Sequence, residues 1–509
     1  GWVPTWDDGD VARVREAIVA AGGTVDGVLA MLGPQGWAAL GRDQTVPAAR
    51  ALRADPGAAR TAAGVLTRLF LLHAAVPHAD VVAAGLPWAA MHALGLVDLS
   101  GEDVVPAVDL RPYGEVDSDW YLVSDLDDRR RAADSDLRVD HVLGVGGASL
   151  TLAGLVPRIP VARALDLGTG CGVQALHLSR HAAHVVGTDT NVRALHLAAL
   201  GWALSGLDAD AVSWRRGSLL EPVAGERFDL VVSNPPFVVS PGHRYTYRDA
   251  GLRGDELGRV LLEQAPLHLA DDGWCVLLAN WLHQRGRDWR ERVAAWAEPA
   301  LAAGCDVWVA QREALDVGRY AENWLQDAGD HESPDYAARY DEWLDAFDDD
   351  GVEAVGMGWV VLHRSGRADP WLRVEDVAAA ARPPTGEEVV ARVADAGTRH
   401  DLDAVATLAA RFAPRPGMVL EHRTGVGSGG VRVDLPARVS RAHDVGGWRE
   451  PRLLDAVGLA LVLGCDGATP LAEVVGSVAA TAGADPDDVL ALALHLVRDL
   501  VDEGLLEPR

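Results

Sequence analysis

The stretch from Val161 to Phe237 constrains the fold more than any other part of this 509-residue chain. It opens with a short apolar strand, Ala164 to Leu167, that runs straight into Gly168-Thr169-Gly170-Cys171-Gly172 and then into an amphipathic helix. Glycines between a strand and a helix let a ligand press against bare backbone at a helix N-terminus, where unpaired N–H groups point outward. A second strand, His184 to Thr188, ends in Asp189, one β-α-β unit after Asp166. A carboxylate at the tip of the second strand is where a nucleoside ribose offers its hydroxyls. This much suits many nucleotide-cofactor folds.

The feature that narrows the reading is Asn234-Pro235-Pro236-Phe237, directly after the apolar strand Phe228 to Ser233. The two prolines fix φ and remove two backbone donors, leaving carbonyls that can only accept. Asn234 adds a side-chain carbonyl and Phe237 a flat apolar face, and together they suit a planar NH2-bearing group held edge-on. With this tetrapeptide following D-x-G-x-G-x-G and a strand-end Asp, the chain resembles the class I S-adenosylmethionine-dependent methyltransferases. More narrowly, it resembles the branch shared by release-factor glutamine methyltransferases and the "small-domain" or adenine amino-group methyltransferases of RNA and DNA. The resemblance covers about Val142 to Ser365.

The resemblance implies an α/β fold with a seven-stranded Rossmann-like sheet and S-adenosylmethionine as cofactor. Strands are expected at Ala164 to Leu167, His184 to Thr188, Ala211 to Trp214, Phe228 to Ser233, Trp274 to Ala279, Asp306 to Ala310 and Met357 to His363. Gly168, Thr169, Gly170 and Gly172 then pass under the methionine part of the cofactor, and Asp166 fixes the loop or a bound water near the methionine amine. Asp189, followed by Thr190, takes the ribose hydroxyls. Ser218 stands where the family often carries an acidic residue for the adenine amino group. Asn234, which also borders the cofactor, and the Pro235 carbonyl accept from the substrate NH2, while Phe237 stacks on the amide or base. Neither a metal nor a covalent intermediate is called for, and His177, His181, His184 and His243 have no ligand spacing and are assigned to packing or surface.

Charge bears on the acceptor. The net charge is −28, from 46 basic and 74 acidic residues, and every basic residue is Arg. A nucleic-acid binder usually carries a basic footprint, so the balance favours a protein or peptide substrate over RNA or DNA without removing the latter. Absent Lys and scarce Ile fit the codon bias of a GC-rich genome and carry no mechanism. Cys171, Cys275, Cys305 and Cys465 show no metal or redox spacing, which fits reduced thiols in a cytoplasm. No run of 18 apolar, uncharged residues occurs, and Arg13 and Arg15 come early with no apolar h-region behind them, so neither a membrane span nor a signal peptide is expected.

Three domains are expected. Residues 1–140 show helical apolar spacing up to Phe70, short helices from His78 and Trp88, and an extended pair at Leu96 to Leu99 and Val104 to Leu110, a winged-helix-like order that suits a substrate or cap domain. Residues 141–365 form the methyltransferase domain. Its segment from His141 to Leu155 is placed by the resemblance as a cover over the cofactor, with Ser149 and Thr151 as polar members that alternatively cap the helix. The loop Pro241 to Gly254 concentrates cationic and aromatic residues beside the presumed site, and Arg244, Tyr245 and Arg248 are its candidate substrate contacts. Asp316 to Asp350 reads as an inserted acidic helical lid with an aromatic stripe. Residues 366–509 make an accessory α+β domain, winged-helix-like near 453–509.

Other classes explain less. A nicotinamide dehydrogenase accounts for the first two β-α units but gives no reason for Asn234-Pro235-Pro236-Phe237, and the third glycine lies off the usual dinucleotide spacing. A non-catalytic scaffold has no cause to keep both Asp189 and Asn234. Among methyltransferases, a protein glutamine amide, an RNA or DNA amino group and a peptide carboxylate all remain open.

Overall fold

The computed structural model describes residues 2–42, 44–114, 119–126, 140–236, 239, 255–327, 333–377, 382–427, 432–441, 449 and 451–509. A central mixed sheet is built from β1 (Val161–Leu167), β2 (Ala182–Asp189), β3 (Val212–Arg216), β4 (Phe228–Ser233), β5 (Leu269–Gln284), β6 (Asp306–Asp316), β7 (Val352–His363) and β8 (Leu372–Asp376). Its order is β8-β6-β7-β5-β4-β1-β2-β3. β7 runs antiparallel to both β5 and β6, and the remaining pairs are parallel. All seven expected strands form, but the sheet has eight. β8 lies beyond Ser365 and pairs in parallel with β6 from Val307↔Leu372 to Gln311↔Asp376.

The strands have period-two side-chain alternation, so a strand buried on both faces feeds two cores. In β4, Leu230 and Val232 join one cluster while Val231 joins the other. The second face is covered by Glu256–Gln264 and Trp289–Trp296 through Leu257, Leu261 and Val293. The first face is covered by the helices Val173–Leu178 and Val192–Leu204, and also by the N-terminal helix Asp8–Ala20, whose Val11, Val14 and Ile18 belong to the same cluster as Leu230. The N-terminal segment, with its small sheet of Val76–Pro77, Val97–Ser100 and Asp103–Pro106, therefore shares a core with the central sheet. Among the described residues no single helix is long and apolar enough to cross a membrane.

The expected insertion between β6 and β7 is two helices, Val317–Asp327 and Tyr336–Asp349. Its aromatic stripe packs inward: Tyr320, Trp343 and Phe347 are buried with Leu282 of β5 and Val355 of β7. The segment after Leu402 has its own core, formed by Phe412, Leu461, Val475, Val497 and Leu500 among others. Helices Ala456–Gly464, Leu471–Ala482 and Pro486–Asp502 pack there against the hairpin Met418–Val426 and Arg432–Arg441.

The joint between this C-terminal part and the sheet is ionic. Arg392, on the helix Gly386–Asp401, is 2 % exposed and donates to Asp502 at 2.7 Å, while also lying 3.2 Å from Glu375 of β8. Arg373 of β8 reaches the other Asp502 oxygen at 2.7 Å, and Trp308 Nε1 donates to Glu375 at 2.8 Å. Removing the cation from a buried cluster leaves carboxylates with less compensation, which costs about 3 kcal/mol or more. Arg392→Ala is thus expected to lower the unfolding free energy from urea titration by that order, and Arg392→Lys to recover only part of it, because an ammonium cannot span both carboxylates.

Candidate functional site

The site is set by two adjacent strand ends. β1 and β4 are parallel neighbours with Leu167 opposite Ser233, and the buried Ser233 Oγ donates to the Leu167 carbonyl at 2.8 Å. The glycine turn leaving β1 and the Asn234 corner leaving β4 thus start side by side at the carboxyl edge of the sheet, where open α/β sheets hold their ligands.

The turn is held from below and bare above. Gly168 and Thr169 donate their N–H groups to the Thr188 carbonyl at 2.9 and 2.8 Å. Gly168, Gly170 and Gly172 have φ of +73°, +53° and +81°, a region that suits glycine. A Cβ at Gly168 or Gly170 would meet nothing within 4 Å, whereas one at Gly172 would stand 2.9 Å from Ala198 Cβ. The first two glycines therefore face open space and the third allows close helix packing.

Asp166 and Thr169 point the other way. Asp166 is 1 % exposed, and its Oδ2 accepts from Thr169 Oγ1 at 2.6 Å and from Ala175 N at 3.0 Å. These two side chains hold the turn to its helix and do not reach the open side. Burial pushes the Asp166 carboxyl up to about 7, against the lowering effect of its two hydrogen bonds.

Asp189 closes the other flank. One of its oxygens accepts from Gly170 N at 3.0 Å and the other from Asn191 N at 2.9 Å, which fixes the carboxylate beside the open glycines while leaving it partly exposed. Burial raises its pKa. Thr190 and Ser218 are exposed next to it, Gly217 N donating to the Asp189 carbonyl at 3.1 Å.

The segment from Asp140 to Ser149 runs from the Asp189 flank to the Asn234 flank, tied at each end by an asparagine amide. Asn191 Nδ2 donates to the Asp140 carbonyl at 2.9 Å, and Asn234 Nδ2 to Ser149 Oγ at 3.3 Å. Between them Asp125, buried and bound by Arg193, accepts from Val142 N at 2.8 Å. Ser149 and Thr151 sit inside the helix Gly147–Leu155, whose N-cap is Gly146, so neither side chain caps it.

At the corner, Asn234 Oδ1 is buried and has no hydrogen-bond partner among the described residues. A buried carbonyl without a partner carries a desolvation penalty, and it marks where a donor belongs. Pro235 is buried and Pro236 exposed. Val239 N donates to the fully buried Tyr320 hydroxyl at 3.0 Å, which anchors the chain just past the corner to the inserted helices. Phe237, Arg244, Tyr245 and Arg248 lie outside the described residues. Among the described residues no group of three or more His, Cys, Asp or Glu is placed to hold a metal ion.

Sequence reasoning named the turn, Asp189 and Asn234 but missed Ser233, Asn191, Gln174 and Tyr320. Asn191 was findable as an N-cap ahead of an apolar helix, and its side chain does accept from Arg193 N. Gln174 is one of two polar residues, with His177, in the otherwise apolar run Val173 to Leu178, and its Nε2 donates to the Ser149 carbonyl at 2.8 Å.

Comparison with known proteins matches the segment that carries this geometry. Residues 145–285 match the family model described as methyltransferase small domain, and this segment is of that family. Residues 20–107 and 391–508 match two models, each described as a domain of unknown function. The chain is 38 % identical over 131 residues to the release factor glutamine methyltransferase of Xylella fastidiosa, covering 23 % of this chain and 47 % of that protein. It is 38 % identical over 144 residues to the ribosomal protein uL3 glutamine methyltransferase of Xanthomonas campestris pv. campestris, covering 25 % and 46 %. Over 118 residues it is 32 % identical to the ribosomal RNA small subunit methyltransferase C of Alcanivorax borkumensis, covering 23 % and 32 %. The chain spans about half the length of the glutamine methyltransferases it matches.

The turn allows ligand binding and folding to be separated by mutation. Gly170→Ala carries only the cost of a left-handed alanine, about 1–2 kcal/mol, and is expected to lose cofactor affinity by more than tenfold in calorimetry. Gly172→Ala adds a clash with Ala198 and is expected to unfold at a lower temperature than Gly170→Ala.

Asp166 yields a pH test. Its folded pKa is raised, so the stability it contributes is full below its unfolded value near 3.8 and is lost as pH rises through about 7. Asp166→Asn keeps an acceptor for Thr169 and Ala175 without the charge. Denaturant unfolding at pH 5 and pH 8 should show a smaller stability difference in the variant than in the wild type.

Proposed function

We propose that this chain transfers a methyl group from S-adenosylmethionine to the side-chain amide nitrogen of a glutamine in a protein substrate. The observation that carries the proposal is the buried, unpartnered Asn234 Oδ1, one residue beyond the strand end tied to the glycine turn. The open backbone at Gly168 and Gly170 fits a ligand lying flat on the turn, and the Asp189 carboxylate fits a diol at its edge. The acidic surroundings fit a cationic cofactor.

S-adenosylmethionine, when bound, supplies a methyl group on a positively charged sulfur that leaves as a neutral thioether. What remains for the protein is mainly positioning and water exclusion. Asn234 Oδ1 and the Pro235 carbonyl accept both hydrogens of the substrate NH2, which fixes the nitrogen and pushes its electron density outward. Phe237 gives the planar group a stacking face, and Arg244, Tyr245 and Arg248 follow close enough in sequence to meet the substrate backbone. The segment from Asp140 to Ser149 roofs the turn and keeps water from the reacting atoms. No side chain has to take the proton before transfer, because an N-methylated amide can release it to solvent afterwards.

A protein acceptor is supported by the net charge of −28, which repels a polyanion, and by the two relatives named for protein glutamine methylation. We read the N-terminal helices with their three-stranded sheet, and the C-terminal helices with theirs, as winged-helix-like modules that present the substrate. The four described cysteines are free and buried, which suits the reducing cytoplasm in which ribosomal proteins are made.

Calorimetry with S-adenosylmethionine and S-adenosylhomocysteine tests the foundation, and no heat from either overturns the reading. Labelled methyl transfer into cell extract, with nuclease or protease treatment, tests the acceptor: label lost to nuclease would replace a protein amide by a nucleic-acid amino group. Asn234→Ala is expected to reduce transfer by at least a hundredfold with cofactor affinity within about threefold of wild type, and equal losses in both would remove the role assigned to Asn234.

A further inference from the structure

We infer that Ser149, held in place by Gln174, is a positioning residue that holds the Asn234 side chain at the corner with its Oδ1 turned to the substrate NH2. This rests on the methyl-transfer reading above and specifies how its site is oriented.

A primary amide has two ends, and a half-turn about its Cβ–Cγ bond direction exchanges donor for acceptor. Which end faces the ligand depends on what the other end binds. Here Asn234 Nδ2 is engaged by Ser149 Oγ at 3.3 Å, and Oδ1 is the end left buried and unpartnered. The backbone of Ser149 is held from the other side. Its carbonyl accepts from Gln174 Nε2 at 2.8 Å, and Gln174 is 4 % exposed on the helix that leaves the glycine turn. The chain of contacts Gln174, Ser149, Asn234 therefore links the cofactor turn to the orientation of the acceptor amide.

The consequence is chemical. With Nδ2 on the Ser149 hydroxyl and the prolines lacking N–H groups, the corner in this arrangement offers oxygen lone pairs. A substrate amide or amine meets them with its hydrogens. An ionised carboxylate brings lone pairs against lone pairs and finds a donor only when the Asn234 amide turns over, the Ser149 hydroxyl then donating to Oδ1.

Labelled transfer from S-adenosylmethionine into protein extract distinguishes the products, because an N-methyl amide resists mild alkali and a methyl ester releases methanol. Wild type is expected to yield alkali-stable label. Ser149→Ala frees the amide to turn and is expected to lower the kcat for alkali-stable transfer by tenfold or more, with the calorimetric Kd for S-adenosylmethionine within twofold and the melting temperature little changed. Ser149→Thr, which keeps the hydroxyl, is expected to retain at least half of the wild-type kcat. Gln174→Glu, which replaces the clamping NH2 by an acceptor, is expected to lower kcat in the same direction as Ser149→Ala.

Alkali-stable transfer by Ser149→Ala at the wild-type kcat would overturn the role of Ser149 while leaving amide methylation standing. Loss of cofactor affinity in parallel with kcat would also overturn it, as it would assign Ser149 to the cofactor. Alkali-labile label from the wild type, or no label at all, would overturn the amide reading and this inference together.

Discussion

The geometry of the site hangs on a buried carboxyl group. Asp166 stands at the end of β1 with almost no exposure, and it accepts from the hydroxyl of Thr169 and the backbone of Ala175. Those two bonds bend the chain from strand into helix within a few residues and hold Gly168 and Gly170 with their open faces upward. Burial makes the group costly to ionise, and the fold keeps it because the alternative is an unpinned turn.

From that turn the rest follows by adjacency. Ser233 ties β4 to β1, so the corner after β4 has no freedom to lie elsewhere. Asn191 and Asn234 then hold the two ends of a single roof segment by their side-chain NH2 groups. The same residue type serves both ends, each donating with its nitrogen: Asn191 Oδ1 caps a helix, and Asn234 Oδ1 is buried with no partner among the described residues. On the far side, the Tyr320 hydroxyl holds Val239, and burial raises that phenol to about 12, so it stays protonated across ordinary pH.

Much of this was legible in the sequence because the site is local. Gly168, Gly170, Gly172, Asp189 and Asn234 each sit at a strand end that apolar runs announce, and the strands fell where those runs lie. What escaped notice depends on pairs far apart in the chain. Ser233 with Leu167, Gln174 with Ser149, and Tyr320 with Val239 leave no periodic trace. β8 was missed because Ala368 to Phe412 reads as mostly helical, and the apolar-charged alternation that marks the strand runs for only four residues, Leu372 to Glu375. Val11, Val14 and Ile18, far upstream of the sheet in sequence, share a core with Leu230, another long-range contact that leaves no periodic trace. The resemblance pointed correctly to a methyltransferase segment, and it could not specify the flanking parts, which match families without known function.

The ionic joint has a temporal side. Arg373 and Glu375 on β8 face charges supplied by Arg392 and Asp502, and Asp502 comes 110 residues after Arg392. The first seven strands can pair before that helix is made, but the eighth holds unmatched charge until Pro486–Asp502 is present. The edge of the sheet is thus sealed by a segment made long after the strand it seals.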